Sequence, residues 1–561
     1  MMGRIDDDPY LTRGVIAYLG NKRRLLGLIG EALGMSIGHT PAGLGFADLF
    51  SGSGVVSRYA RLLGMSVVAN DWEPYAGVLA KAWLEPTPKD ITRIFGSPDG
   101  LERAVSELDE LVSPSSGEEY LARYYAPASD DPDQADYRTE RLFYTRANAL
   151  KLDAARNYLE HAEDHHRADP DAALRRSLLL APLIYAAATH VNTSGVFKAY
   201  HKGFGGHGKD ALGRIMSPIS FQAPLVRDKP PGRIYSTDAL ELAGSGALNH
   251  IDVVYLDPPY NQHQYGSNYH LLNTLVHWDR LPEPLLLGSD GRLKRKAGIR
   301  SDWKKTKSDY CYTKSAETAF SNLMDSLSNP VVLLSYSTDG IIPFEALRRR
   351  CEAYGRVRLS AHPYVTYRGG RQSVGRQDQN LEFVMIVEKG STTRRRDRSE
   401  ADNLLNARRL QLLKKAVYRP DILKESGKTD GSDWIPSLPG KEIRIRTRHF
   451  VRLENLPELT DLLPRETEML VNLLSEARCR SRAEEVDVLL ELWKSAPDDS
   501  RDMVKEIPRI MRKMAHRKYQ DQFEKRLSSI REIGRSYPKN YVLISKKIDD
   551  IEELAGTRFS G

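Results

Sequence analysis

One stretch constrains the fold of this chain more than any other. It is Ile251-Asp252-Val253-Val254-Tyr255-Leu256, followed at once by Asp257-Pro258-Pro259-Tyr260. The apolar run is short, rich in β-branched residues and stopped by two prolines, which reads as a buried strand. A strand that ends in this way sets a carboxylate, a backbone carbonyl and an aromatic face at the carboxyl edge of a sheet. That edge is where open α/β sheets bind ligands. The competing reading is a strand followed by a stiff proline turn, so the remaining motifs have to decide.

Three of them lie near the start. Gly20-Asn21 is a turn signal ahead of apolar residues at helical spacing from Leu25 to Leu33, which puts Lys22 near a helix start, where a carboxylate is favoured. Phe46–Phe50 reads as a strand and Val55–Leu63 as a helix, joined by the turn Ser51-Gly52-Ser53-Gly54. Its glycines let backbone approach a ligand, although Phe-x-Gly-x-Gly departs from the dinucleotide fingerprint. A second strand, Met65–Ala69, ends in Asn70-Asp71-Trp72. An acidic residue about 20 positions past a glycine turn is where α/β nucleotide sites hold a ribose hydroxyl, a role open to Asp71. Trp72 then either covers an adenine face or packs in the core.

A third strand, from Gly232, ends at Asp238, and the 251–256 run is the fourth. Val331–Tyr336, Arg356–Ser360 and Leu381–Val387 complete the set, the last two as an antiparallel edge hairpin, because no helix separates them. The hairpin loop carries Arg368 and Arg371, which suggests phosphate contact; the plainer reading is a solvated tip. Residues 86–229 interrupt the sheet with helical patterns near 100–125, 137–163 and 171–189. The insertion ends in a loop, 189–209, where Lys, His and aromatic residues alternate with glycine, as in loops that follow a phosphate backbone and set rings against bases. The polar and aromatic run 261–270 reads as a lid. Residues 391–402 read as a linker, and 403–561 as mostly mixed-charge amphipathic helix with no chemical motif.

A length of 561 residues allows two to four domains. The net charge of +7 and pI near 9.0 suit nucleic-acid binding, as they also suit a solvated basic surface. No apolar stretch is long enough to cross a bilayer. The three cysteines form no CxxC pair, which points away from zinc or a disulfide framework and toward a reducing cytoplasm.

In order along the chain, Ala17-Tyr18-x-Gly20-Asn21-Lys22, Asp48-x-Phe50-x-Gly52-x-Gly54, Asn70-Asp71 and Asp257-Pro258-Pro259-Tyr260 resemble the Dam-like adenine-N6 DNA methyltransferases, the D12 class or alpha group. The resemblance covers residues 14–85 and 230–390. It implies a class I S-adenosylmethionine-dependent methyltransferase fold, an α/β architecture with a seven-stranded mixed sheet and a terminal β-hairpin. The helical insertion 86–229 would be the target-recognition region, and the family does not account for the C-terminal region. S-adenosylmethionine is the implied cofactor and duplex DNA the implied partner, with no metal. Tyr18 and Lys22 would contact the methionine part of the cofactor. Phe50, Gly52 and Gly54, in the motif opened by Asp48, would form the cofactor turn, Asp71 would hold the ribose, and Asp238 would reach the adenine. Family members often have an aromatic after that aspartate, where this chain has Ala239. Asn192 to Lys198 look like the family's asparagine-glycine loop against DNA. Asn192, Ser194, Lys198, Lys202, Arg368 and Arg371 are therefore the DNA-contact candidates, and Asp257, Pro258, Pro259 and Tyr260 the catalytic ones.

Other substrates keep the same fold. Protein glutamine methyltransferases usually carry Asn before the two prolines and cytosine-N4 enzymes Ser, so Asp257 favours adenine, in DNA or in RNA. A binding module with a relic sheet domain would show a broken motif, and none is broken. The C-terminal region fits a DNA clamp, a dimerisation surface or a docking site for a restriction or defence partner.

Overall fold

The computed structural model describes all residues except 1–6, 39, 167–168, 207–210, 364–380, 440–441, 458–461 and 561. The chain divides into two compact units. One takes the chain to Tyr336 plus Gly340–Ser360 and Val384–Thr393, the other Ser337–Asp339, Ala361–Phe383 and everything from Arg394.

The first unit is built on a seven-stranded sheet. Its centre is β1 (Gly45–Asp48), flanked in parallel by β2 (Ser66–Asn70) and β4 (Val253–Leu256). β3 (Arg233–Tyr235) lies outside β2 and β5 (Val331–Ser337) outside β4, both parallel. The order is β3-β2-β1-β4-β5-β7-β6, with β6 (Gly355–Pro363) at the edge and β7 (Leu381–Lys389) between it and β5. This is the expected mixed class I methyltransferase sheet. β1, β4 and β5 are buried along their whole length, which is why β4 and the first half of β5 read as continuous apolar runs rather than alternating ones. Strand order reverses between β1 and β4, the switch point where ligands enter such sheets. Register brings the motifs together there, since Asp48 is level with both Ala69 and Tyr255, and Asn70 with Tyr235.

Helices cover the sheet, two of them, after Lys22 and after the glycine turn, where the pattern placed them. Leu26–Ile37 stops at Gly38, Val55–Leu62 starts from Gly54, and Pro74–Leu84 has its proline in the first turn, where no N–H is needed. Within the insertion the helices are Pro88–Phe95, Gly100–Glu110, Arg146–His166 and Ala172–Thr189, with short turns at Leu121–Tyr124 and Leu212–Met216. The expected helices over 111–125 and 137–145 are otherwise irregular. Pro114 with Ser115-Ser116-Gly117, and Pro127 to Pro132, break the backbone more strongly than the apolar spacing promotes it.

The second unit corrects one expectation and adds to another. Residues 391–402 are not a linker throughout, because the helix Arg395–Leu413 begins there. The buried Asp397 accepts the N–H of Arg394 at 2.8 Å, and Arg396 pairs with Glu400 one turn on at 2.7 Å, so the basic run is capped and charge-paired. The region beyond is mainly helical but not helical alone. It holds an antiparallel sheet of β8 (Gly427–Asp430), β9 (Asp433–Pro436), β10 (Ile445–Arg448) and β11 (Arg452–Leu453). Two apolar clusters form its core, one around Trp434, Ile445 and Leu474, the other around Trp493, Met511 and Ile530. Among the described residues no helix is long and apolar enough to cross a membrane.

Candidate active site

The carboxyl ends of β1, β2 and β3 are tied together by one side chain. Asn70, fully buried, donates to the carbonyls of Leu49 (3.2 Å) and Thr237 (3.1 Å) and accepts the Thr237 N–H (3.1 Å). The next residue shapes the glycine turn, since Asp71 accepts the N–H of Gly52 at 2.7 Å and that of Glu73 at 2.9 Å. Burial raises the Asp71 carboxyl to about 6 against these two bonds. Gly52 has φ +50°, and a Cβ there would come within 2.7 Å of the Tyr18 ring. Tyr18 therefore lies directly on the turn. Its ring stacks on Tyr265 (5.1 Å) and Tyr269 (5.0 Å), while the Tyr269 hydroxyl accepts the Leu19 N–H at 2.8 Å and the Tyr265 hydroxyl donates to the Leu19 carbonyl at 3.0 Å. These bonds make the expected lid a bracket: Tyr265 and Tyr269 hold the N-terminal loop, and the buried His270 meets the Phe197 carbonyl at 3.1 Å.

Beyond β4, Asp257 pairs through Oδ1 with Lys22 Nζ at 2.8 Å, and the same ammonium lies 4.9 Å from the centre of the Tyr260 ring. Burial pushes the Asp257 carboxyl up and the Lys22 charge pulls it down, leaving it raised. Asp48 stands behind them, buried, accepting from Ser57 at 2.7 Å and raised by burial to about 7.

One cavity joins these groups. Its wall includes Tyr18, Phe50, Asp71, Trp72, Asp238 and Ala239 on one hand, and Asp257, Pro258, Pro259 and Tyr260 on the other. The acceptors Asp71 and Asp238 and the rings of Phe50 and Trp72 suit a nucleoside. Asp257 and Tyr260 at the same wall suit a second base. Residues 18–287 match the family of D12 class N6 adenine-specific DNA methyltransferases. This region, just under half of the chain, is that of a D12 class DNA methyltransferase. Like other adenine DNA methyltransferases of the D12 class, the chain uses S-adenosylmethionine as methyl donor. It is 28% identical over 375 residues to the type II methyltransferase M.NlaIII of Neisseria lactamica, covering 66% of this chain and 99% of that one. The corresponding figures for M.CviAII of Paramecium bursaria Chlorella virus 1 are 25%, 66% and 99%. For M.FokI of Planomicrobium okeanokoites they are 27%, 66% and 52%. No solved structure matches the chain significantly.

Not every candidate of this D12 enzyme faces the cavity. Lys22, Asp48, Gly52 and Gly54 stand behind its wall, the lysine because Asp257 holds it and Gly52 because Tyr18 covers it. Trp72, about one-third exposed, lines the mouth instead of packing in the core. Asp238 caps the helix Ala239–Gly244, accepting the Leu240 N–H at 2.8 Å. Asn192 is a correction, because it is fully buried and its amide is spent on Leu142 and on its own loop. It donates to the carbonyls of Leu142 (2.9 Å) and Gly203 (3.4 Å) and accepts the Gly205 N–H (3.2 Å). The loop's rings are also turned inward, with Phe197 stacked on Phe143 and Tyr200 edge-on to it, so they are not presented to bases. Ser194, Lys198 and Lys202 remain on its outer face. Arg368 and Arg371 lie outside the described residues.

Three wall residues were not singled out from the sequence. Asn70 was seen as part of a motif but given no task. Glu73 is buried at the cavity, raised by burial to about 7, and accepts from Asn273 at 2.7 Å and Thr306 at 3.3 Å. Tyr310 meets the edge of Phe50 at 5.3 Å. Only Glu73 carried a local signal, an acidic residue directly after the Asp71-Trp72 pair.

Proposed function

We propose that this enzyme methylates N6 of an adenine flipped out of duplex DNA at a specific site. The carrying observation is the single cavity that holds Asp257–Tyr260 together with Asp71 and Asp238. S-adenosylmethionine supplies, when bound, an electrophilic methyl group on a sulfonium with a good leaving thioether. The target amine is a poor nucleophile, because its lone pair is delocalised into the ring. Asp257 accepts one N6–H through the oxygen Lys22 does not hold, and the Pro258 carbonyl accepts the other. Two such bonds favour a pyramidal nitrogen and stabilise the charge that grows on it, and Asp257 then takes the proton. Alignment contributes up to about 7–11 kcal/mol and proton acceptance about 3–5 kcal/mol, so positioning dominates. A base inside a duplex is out of reach, and Tyr260, at the cavity wall, is the ring on which a flipped one stacks.

In this reading Tyr18 and Asp71 hold the cofactor's methionine and ribose, and Ser194, Lys198 and Lys202 meet phosphates. The relatives' names include type II methyltransferases and a modification methylase, which supports a restriction-modification role; in this reading the enzyme works in the cytoplasm and its second unit docks a restriction partner. Asp257→Ala should lower methyl transfer to duplex DNA by at least about 10²–10⁴-fold while keeping cofactor affinity, measured with tritiated cofactor and by calorimetry. Near-normal turnover would discard the mechanism, and transfer to RNA alone would discard the substrate.

A further inference from the structure

The family match ends at residue 287, yet five consecutive residues of the cavity wall, Thr306 to Tyr310, come from further along the chain. This strap is stitched down at several points. Thr306 donates to Glu73 at 3.3 Å. The Gln264 amide grips the Ser308 backbone in both directions at 2.9 Å, and the Cys311 thiol donates to the His263 carbonyl at 3.3 Å. The strap delivers one aromatic side chain to the wall. The Tyr310 ring meets Phe50 at the end of β1 with centres 5.3 Å apart and planes at 84°. Its hydroxyl donates to the Ala319 carbonyl at 3.4 Å. Asp238, at the start of the helix after β3, is close enough for its charge to act on the Tyr310 phenol. Asp238 and Tyr310 thus share one end of the cavity, where the next residue along from the aspartate is the small Ala239.

We propose that Tyr310 is the aromatic face against which the cofactor's adenine lies, replacing from a distant strap the ring that Ala239 does not supply. This rests on the reading of the cavity as the cofactor site. The ring is nearly buried in protein, 8% exposed, but it borders the cavity, so a planar base there meets a preset surface without ordering a mobile side chain.

The test is calorimetric titration of the full-length protein with S-adenosylmethionine and with 5′-methylthioadenosine, which keeps the adenine and lacks the amino-acid part. Tyr310→Ala should weaken both by the same factor, about 5- to 100-fold, the span of a lost ring–base stack. Tyr310→Phe should stay within about twofold, and kcat of Tyr310→Ala at saturating cofactor should fall far less than its affinity, because the contact is the same in ground and transition state. Unchanged affinity in Tyr310→Ala overturns the proposal. So does an equal loss in Tyr310→Phe, which would make the hydroxyl's bond to Ala319, a packing matter, the cause. A wild-type protein that binds neither compound overturns the cofactor reading itself, and the assignment of Tyr310 with it.

Discussion

Lys22 opposes the protonation that burial favours at the central carboxylate. Desolvation favours protonated Asp257, and the ammonium 2.8 Å away opposes it. Lys22→Met removes the opposing charge, so the carboxyl must titrate higher still. The acid limb of the kcat/KM profile should move to higher pH and activity at pH 7 should drop. An acid limb that stays in place would show that the pair does not tune the base. The neighbouring carboxylates make a stability prediction of definite sign. Burial raises Asp48 to about 7, Asp71 to about 6 and Glu73 to about 7, from ordinary values of 3.8, 3.8 and 4.5. The folded chain therefore holds protons that the unfolded chain has already released. Their contribution to stability is complete below the ordinary carboxylate range and is lost as pH rises through about 6 to 7. The melting temperature of the cofactor-free protein should fall between pH 5 and pH 8, and Asp48→Asn should flatten that fall. A melting temperature that rises over this interval would contradict the burial argument.

The glycine turn is an element that admits few sequences. Gly52 lies in the left-handed region, its N–H is fixed by Asp71, and the Tyr18 ring fills the space a Cβ would take. An alanine there costs about 1–2 kcal/mol in backbone strain alone and pushes Tyr18 off the turn. Gly52→Ala should lower both the melting temperature and cofactor affinity, and wild-type affinity would mean that Tyr18 is not a cofactor contact. Elements like this were legible beforehand for a physical reason. β1, β4 and β5 are buried on both faces, β4 and the first half of β5 announce themselves as apolar runs, and the residues at the strand ends inherit a known edge of the sheet. What was misread depends on partners remote in sequence. Asn192 has the composition of a DNA-contacting loop, yet its amide is consumed by Leu142, Gly203 and Gly205. Tyr310 enters the wall only because Gln264 and Glu73 tie its strap down. The small sheet of the second unit did leave a local trace, since along β10 Ile445 and Thr447 are buried and Arg446 and Arg448 exposed. That alternation was submerged in a region otherwise patterned as helix.

At the scale of the whole chain, the two units carry their stability in separate places. Every residue lining the cavity lies between Tyr18 and Asn322, within the first unit. The apolar clusters around Trp434 and Trp493 are built entirely from residues after position 409. A ligand that binds only the folded first unit stabilises that unit by mass action, by about 2.7 kcal/mol at a hundred times its dissociation constant. The second unit gains nothing from it. Scanning calorimetry should therefore resolve two transitions, of which S-adenosylmethionine raises one. Trp434→Ala empties a fully buried site and should cost about 3–5 kcal/mol, and it should lower only the other. The two perturbations act on different peaks if the cores are independent. A single transition that moves as a whole with cofactor and with Trp434→Ala would show instead that the chain unfolds as one cooperative body. The second unit would then be part of the methyltransferase's own stability rather than a module appended to it.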